Sequence, residues 1–147
     1  RVRRQRQMCI RDRFMPLLAG LGGNIGTQSI TLMVRGLSTG QVTLSSALHH
    51  ILRETSIGLL IGSIFGILVT AVTWGWQHNM ELGIIVGLAM AINMTMATII
   101  GTFTPFALKA MKVDPAVASG PVIATTIDVL GLAIYFTLVS TFLIKVM

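Results

Sequence analysis

Four long apolar stretches separated by short polar intervals set the pattern of this chain: 14–34, 56–76, 82–108 and 116–144. Each reaches about 20 residues, the length a helix needs to cross the hydrocarbon core of a bilayer. The pattern predicts an all-α, polytopic transmembrane bundle of about four spans. The first stretch is unusual. It carries Pro16, Gly20, Gly22, Gly23, Asn24, Gly26, Thr27, Gln28, Ser29 and Thr31. A helix with so many small and polar residues belongs against other helices or beside water, not against lipid.

The second stretch has Gly58, Gly62 and Gly66, a smooth stripe expected to serve helix packing. Trp74 and Trp76 mark its end at a membrane interface. The third carries Gly83, Gly87, Asn93, Thr95, Thr98, Gly101, Thr102 and Thr104, with Pro105 near its end. The fourth follows Asp114-Pro115, read as an N-cap and first-turn proline. Pro121 is expected to free a carbonyl one turn earlier, near Val117. Between the first two stretches, Leu44, Leu48, Ile51 and Leu52 share a face at helical spacing, which predicts a short interfacial helix.

Composition agrees with this pattern. Of 147 residues only 11% are charged, and the mean hydropathy is +0.80. That leaves room for one membrane domain and no soluble core. The net charge of +6 would suggest nucleic acid, but six of the eleven basic residues lie in 1–13. Beyond Arg13 the chain is nearly balanced, so a nucleic-acid partner is rejected. The basic tail 1–13 lacks a signal-peptide pattern. It is read as a non-native addition, with a juxtamembrane segment as the alternative. Residues 14–147 are expected to form one transmembrane domain. Cys9, the single cysteine, lies in the tail and excludes an internal disulfide.

The loops give an orientation. Arg35 and Arg53 flank one loop, and Lys109 and Lys112 lie in the loop two spans later. The intervening 77–81 turn has no Lys or Arg. The positive-inside rule puts both basic loops in the cytoplasm, and the domain is expected in the plasma (inner) membrane. With four spans the basic tail would then lie outside. That conflict supports a foreign tail or a missing preceding span.

Asp128 carries the chemistry. It is the one charge in 116–144, and none of the four stretches contains Lys or Arg to pair with it. A carboxylate near the bilayer centre costs roughly 3 kcal/mol on insertion scales. A water-lined cation path answers that cost; a neutral Asp hydrogen-bonded between packed helices is the competing answer. Asn24 and Gln28 share a helix face, as do Thr27 and Thr31. Such amide and hydroxyl oxygens suit hydrated Mg²⁺ or Ca²⁺, while interhelical hydrogen bonding is their plain alternative. Thr125, Asp128, Gly131 and Leu132 fall on one face of the fourth helix. Two copies around an axis would make a small acidic ring. Asn93, with Thr98 and Thr102, is read as packing or as a pore-lining accessory. His49-His50 is poorly spaced for metal, and no Cys or well-placed His lines the stretches, which argues against a Zn²⁺ or Cu⁺ site. Intramembrane proteolysis would need a second carboxylate or a Ser–His pair inside the membrane, so the chain is not read as an enzyme.

Two sequence blocks resemble one family. PLLAGLGGNIGTQSITLMVRGL is similar to the second transmembrane helix of MgtE-type magnesium transporters. NMTMATIIGTFTPFALKAMKVDPAVASGPVIATTIDVLGLAIYF resembles their fourth and fifth helices and the loop between. The order and spacing of GGNxGxQ, DPA, SGP and TxxD make the resemblance specific from Phe14 onward. It implies a homodimeric Mg²⁺ channel with five spans per subunit, of which this chain would hold the second to the fifth. It implies a pore at the dimer axis between the second and fifth helices, with Asp128 binding the hydrated ion. Asn24, Gln28 and Thr125 are carried over as further metal-site residues. Asp114 corresponds to the acid of the DPA motif, which contributes to Mg²⁺-dependent closure. Gly23, Thr27, Thr31, Gly131 and Asn93 are the expected pore-lining set. The departures are at the N-terminus, where the family's cytoplasmic regulatory domains and first span are absent. Two other readings stand beside the channel: an ion- or proton-coupled carrier in which Asp128 titrates, and a structural membrane subunit without transport.

Overall fold

The computed structural model describes the backbone of residues 2–78, 80–117 and 120–146 and the side chains of 15–76, 78, 80–117 and 121–141. Four helices run in order: α1 (Val2–Ser38), α2 (Ala47–Gln77), α3 (Met80–Ala110) and α4 (Gly120–Val146). Two single 3-10 turns, Leu44–Ser46 and Pro115–Val117, sit in the connections. The expected all-α class holds. Among the described residues three segments are long and apolar enough to cross a membrane: Leu44–Trp76, Met80–Ala110 and Pro121–Thr141, each with mean hydropathy of at least 2.0. The first expected span, 14–34, folds as a helix within α1, and its polar residues keep it out of that set.

The connections revise three sequence expectations. No separate interfacial helix forms over 44–52; Ala47–Leu52 is the first part of α2. Leu44, Leu48 and Leu52 remain exposed there, whereas Ile51 packs against the cluster of Met33, Leu37, Val42 and Phe106. Asp114 does not cap α4. Its Oδ1 accepts a hydrogen bond from Ala116 N at 2.9 Å, which caps the 3-10 turn instead. Pro121 lies in the first turn of α4, where a missing N–H costs nothing, so it frees no carbonyl within a helix. At the other end α2 stops at His78, whose left-handed φ of 51° lets its N–H reach Trp74 O at 2.9 Å.

α3 is the centre of the bundle. It carries the glycine stripe of α2 on one side: Gly58 lies against Thr98, Gly62 against Ala91 and Met94, and Gly66 against Gly87. Without side chains at these positions the two backbones approach closely, and dispersion replaces the hydrophobic drive that lipid lacks. On its other side α3 meets α1 and α4. Leu18, Val86, Met90, Met94, Tyr135 and Val139 share one buried cluster. Ile30, Ala97, Ile123 and Ile127 form a second, nearer the Lys-bearing end. The C-terminal turns of α1 and α3, which carry Arg35 and Lys109, lie at the same end, because Lys109 Nζ donates to Leu37 O at 3.3 Å. The side chains of the basic tail, Cys9 included, lie outside the described residues.

Candidate functional site

α1 divides cleanly into two faces. Leu18, Gly22, Gly26, Ile30, Met33 and Leu37 are buried against the bundle. Leu17, Gly20, Asn24, Gln28, Thr31 and Arg35 are exposed, and their spacing of three and four residues makes one continuous stripe. Most of that stripe is polar. A polar stripe at membrane depth needs water or protein opposite it. Among the described residues of one protomer nothing covers it.

Asp128 stands beside this stripe, at the contact of α4 with α1. Its Oδ1 is buried and has no hydrogen-bond partner among the described residues. The carboxylate rests on the bare backbone of Gly23: a Cβ added there would lie 2.8 Å from Oδ1. One turn along, Gly26 receives the Ile127 side chain in the same manner. Gly23 and Gly26 of GGNIG are therefore the seats of α4 residues, a role that follows from their lack of a side chain rather than from flexibility.

The neighbouring hydroxyls are arranged as acceptors. Thr27 Oγ1 donates to Gly23 O at 2.8 Å, and Thr31 Oγ1 donates to Thr27 O at 2.8 Å. On α4, Thr125 Oγ1 and Thr126 Oγ1 both donate to Val122 O at 2.9 Å. Each hydroxyl hydrogen is spent on the helix backbone, so each oxygen turns its lone pairs outward. Water bound to a divalent cation is a donor. A surface of acceptors with one carboxylate therefore suits an ion that keeps its water shell. Among the described residues no three His, Cys, Asp or Glu side chains converge on one point.

The expected site residues fall into three groups. Asn24, Gln28, Thr31 and Thr125 are exposed and Thr27 is half-buried; Asn24 and Thr27 are within about a turn of Gly23 and Thr125 within a turn of Asp128, while Gln28 and Thr31 lie further along α1. Gly131 and Asn93 are buried together: the Asn93 amide lies against Gly131 and donates from Nδ2 to Leu18 O at 2.8 Å. Asp114 stands apart, since about 12 Å of helix rise separates Asp128 from Gly120 alone. It lines a cavity of about 130 Å³ at the end of the bundle with Val34, Leu37, Ser38, Lys109, Pro115 and Ala116. One acid escaped the sequence reading. Glu54 lies on α2, half-buried, and accepts from Ser29 Oγ at 3.4 Å. It lies in an interval whose polar composition predicts a connection, and the helix starting at Ala47 turns it toward α1.

Residues 15–138 match the MgtE family, divalent cation transporters. The chain belongs to the MgtE family. It is 38% identical over 130 residues to the magnesium transporter MgtE of Bacillus subtilis, an alignment covering 88% of this chain and 29% of that protein. The magnesium transporter MgtE of Enterococcus faecalis matches equally, at 38% over 130 residues. That of Thermus thermophilus is 36% identical over 124 residues, covering 84% of this chain and 27% of that protein. The chain thus spans less than a third of the length of these MgtE relatives. With three helices suited to crossing a bilayer, it is a multi-pass membrane domain of the MgtE family.

Proposed function

We propose that this chain is the conducting region of a divalent-cation permease, with Mg²⁺ as the transported ion. Two copies surround a shared aqueous path in the plasma membrane, and Asp128 is its central cation site. The observation that carries this reading is the polar stripe of α1, left uncovered beside a carboxylate that has no cationic partner among the described residues. A second copy facing that stripe would turn both polar faces toward one axis and away from lipid. Asn24, Gln28, Thr31 and Thr125 would then bind the outer waters of the ion. Family membership supports transport, and the three relatives, all magnesium transporters, support Mg²⁺. Because the chain covers under a third of those relatives, the proposal concerns the conducting region alone. Asp114, at the basic end, is assigned to closure rather than to the central site.

Growth rescue tests the reading. In a strain that lacks its own Mg²⁺ uptake and needs high external Mg²⁺, the wild-type protein restores growth at low Mg²⁺. Asp128→Ala at equal membrane abundance does not. Full rescue by Asp128→Ala would overturn the assignment. Flux that stops when a proton or Na⁺ gradient is collapsed would favour a coupled carrier instead.

A further inference from the structure

Asn93 belongs to α3, yet its amide ties together the two helices that carry the proposed cation site. The residue is 2% exposed. Its Nδ2 donates to Leu18 O of α1 at 2.8 Å. On that side the amide covers Gly22, where an added Cβ would come within 2.6 Å of Nδ2. On the other side it presses on Gly131 of α4, where an added Cβ would run into Oδ1. The two glycines are the clearances that let one amide sit between three helices.

Both clearances are next to the Asp128 seat. Gly22 adjoins Gly23, on which the Asp128 carboxylate rests. Gly131 is three residues beyond Asp128, on the same side of α4 one turn along. Ile127 over Gly26 is a further, apolar contact of α4 with α1 beside the Asp128–Gly23 contact. The hydrogen bond fixes the amide on α1, and the steric contact of the same amide with Gly131 sets how closely α4 approaches. An amide at this depth is also costly unless it is bonded, so it is held to its carbonyl.

We propose that Asn93 is a positioning residue of the permeation site. By fixing the separation of α1 and α4, it sets where the Asp128 carboxylate stands relative to Asn24 and Gln28. It thereby sets the apparent affinity and the ion ranking of the site. It touches no ion itself. The inference rests on the reading of Asp128 as the cation site.

The test is flux through the protein reconstituted in liposomes, with Mg²⁺, Co²⁺ and Ca²⁺ supplied singly over a concentration range. Asn93→Leu keeps the branched shape, with bulkier methyl groups in place of the amide, and removes the hydrogen bond. The Mg²⁺ concentration giving half-maximal flux should rise about fivefold, the equivalent of one lost hydrogen bond of about 1 kcal/mol. The preference among the three ions should narrow, while the maximal rate changes less. Gly131→Ala pushes α4 away with Asn93 intact and should move affinity and ranking in the same direction. The double variant Asn93→Ala with Gly131→Ala refills the volume without the bond. It carries the test if Asn93→Leu yields no monodisperse protein, and it should still show the altered ranking. Unchanged affinity and ranking in folded Asn93→Leu or in the double variant would overturn the inference. Asp128→Ala in the same assay separates the two claims. If it conducts as wild type, the site reading fails; if it abolishes flux while the Asn93 variants are unchanged, the positioning role alone fails.

Discussion

Asp128 rests on Gly23: a Cβ added to the glycine would lie 2.8 Å from the carboxylate Oδ1. An alanine at position 23 therefore has to displace the charged group itself or push the two helices apart. Gly23→Ala should reduce Mg²⁺ flux at least tenfold while leaving the helical content intact. Gly20→Ala, three residues away on the same helix, meets nothing within 4 Å and should conduct normally. Uptake by the two variants at matched protein density checks the contrast. Equal effects would mean that the Gly23 contact is not what matters.

The α2 stripe has a different purpose, and its variants should fail differently. A Cβ on Gly62 would lie 2.9 Å from Ala91 O and 3.0 Å from Ala91 Cα, both backbone atoms. Gly62→Ala should lower the stability of the folded domain by about 1–3 kcal/mol through overpacking. Gly75→Ala, in open space, should be silent. Thermal unfolding in detergent reads the difference, with ion ranking unchanged in whatever Gly62→Ala protein remains folded.

Two buried hydroxyls point to stabilising changes. Thr73 Oγ1 and Thr102 Oγ1 are buried with no hydrogen-bond partner among the described residues. Valine has nearly the same shape and removes the unpaired oxygen. Thr73→Val and Thr102→Val should each raise stability by about 1 kcal/mol. A drop in melting temperature for either would show that its hydroxyl is bonded in the membrane.

The positions of these contacts explain what the sequence could disclose. The helices were legible because four apolar stretches of spanning length have few other solutions in lipid. The α2 stripe was legible as packing because small residues every fourth position face one way on any helix. Asp128 stood out because a lone membrane carboxylate is costly wherever its helix lies. What α1 presents to α4 was less legible. GGNIG reads as a source of ligands, yet Gly22, Gly23 and Gly26 are seats for Asn93, Asp128 and Ile127. Spacing within one helix gives its faces but not which neighbour each face meets. Glu54 and the 3-10 turn at Pro115 were missed for a local reason. Helix starts depend on a few backbone hydrogen bonds that hydropathy does not register.

Assembly gives a prediction by crosslinking. The glycine face of α2 is covered by α3 of the same chain, so it is closed to a second copy. The stripe of Asn24, Gln28 and Thr31 is open. Single cysteines at Asn24 and Thr125, in a background with Cys9 replaced, should crosslink between copies in membranes. Cysteines at Leu60 and Ile67, exposed on α2, should not. The reverse pattern would move the axis to α2 and leave the polar stripe without a role.

The central claim is that the Asp128 carboxylate is the cation site, and its charge is what most directly tests this. Asp128→Asn keeps the shape on Gly23 and removes the negative charge. In liposomes with a Mg²⁺ gradient and no proton or Na⁺ gradient, the wild-type protein should carry Mg²⁺ down its gradient. Asp128→Asn, folded and at equal density, should reduce that flux at least a hundredfold. Flux by Asp128→Asn within a factor of two of wild type would contradict the account.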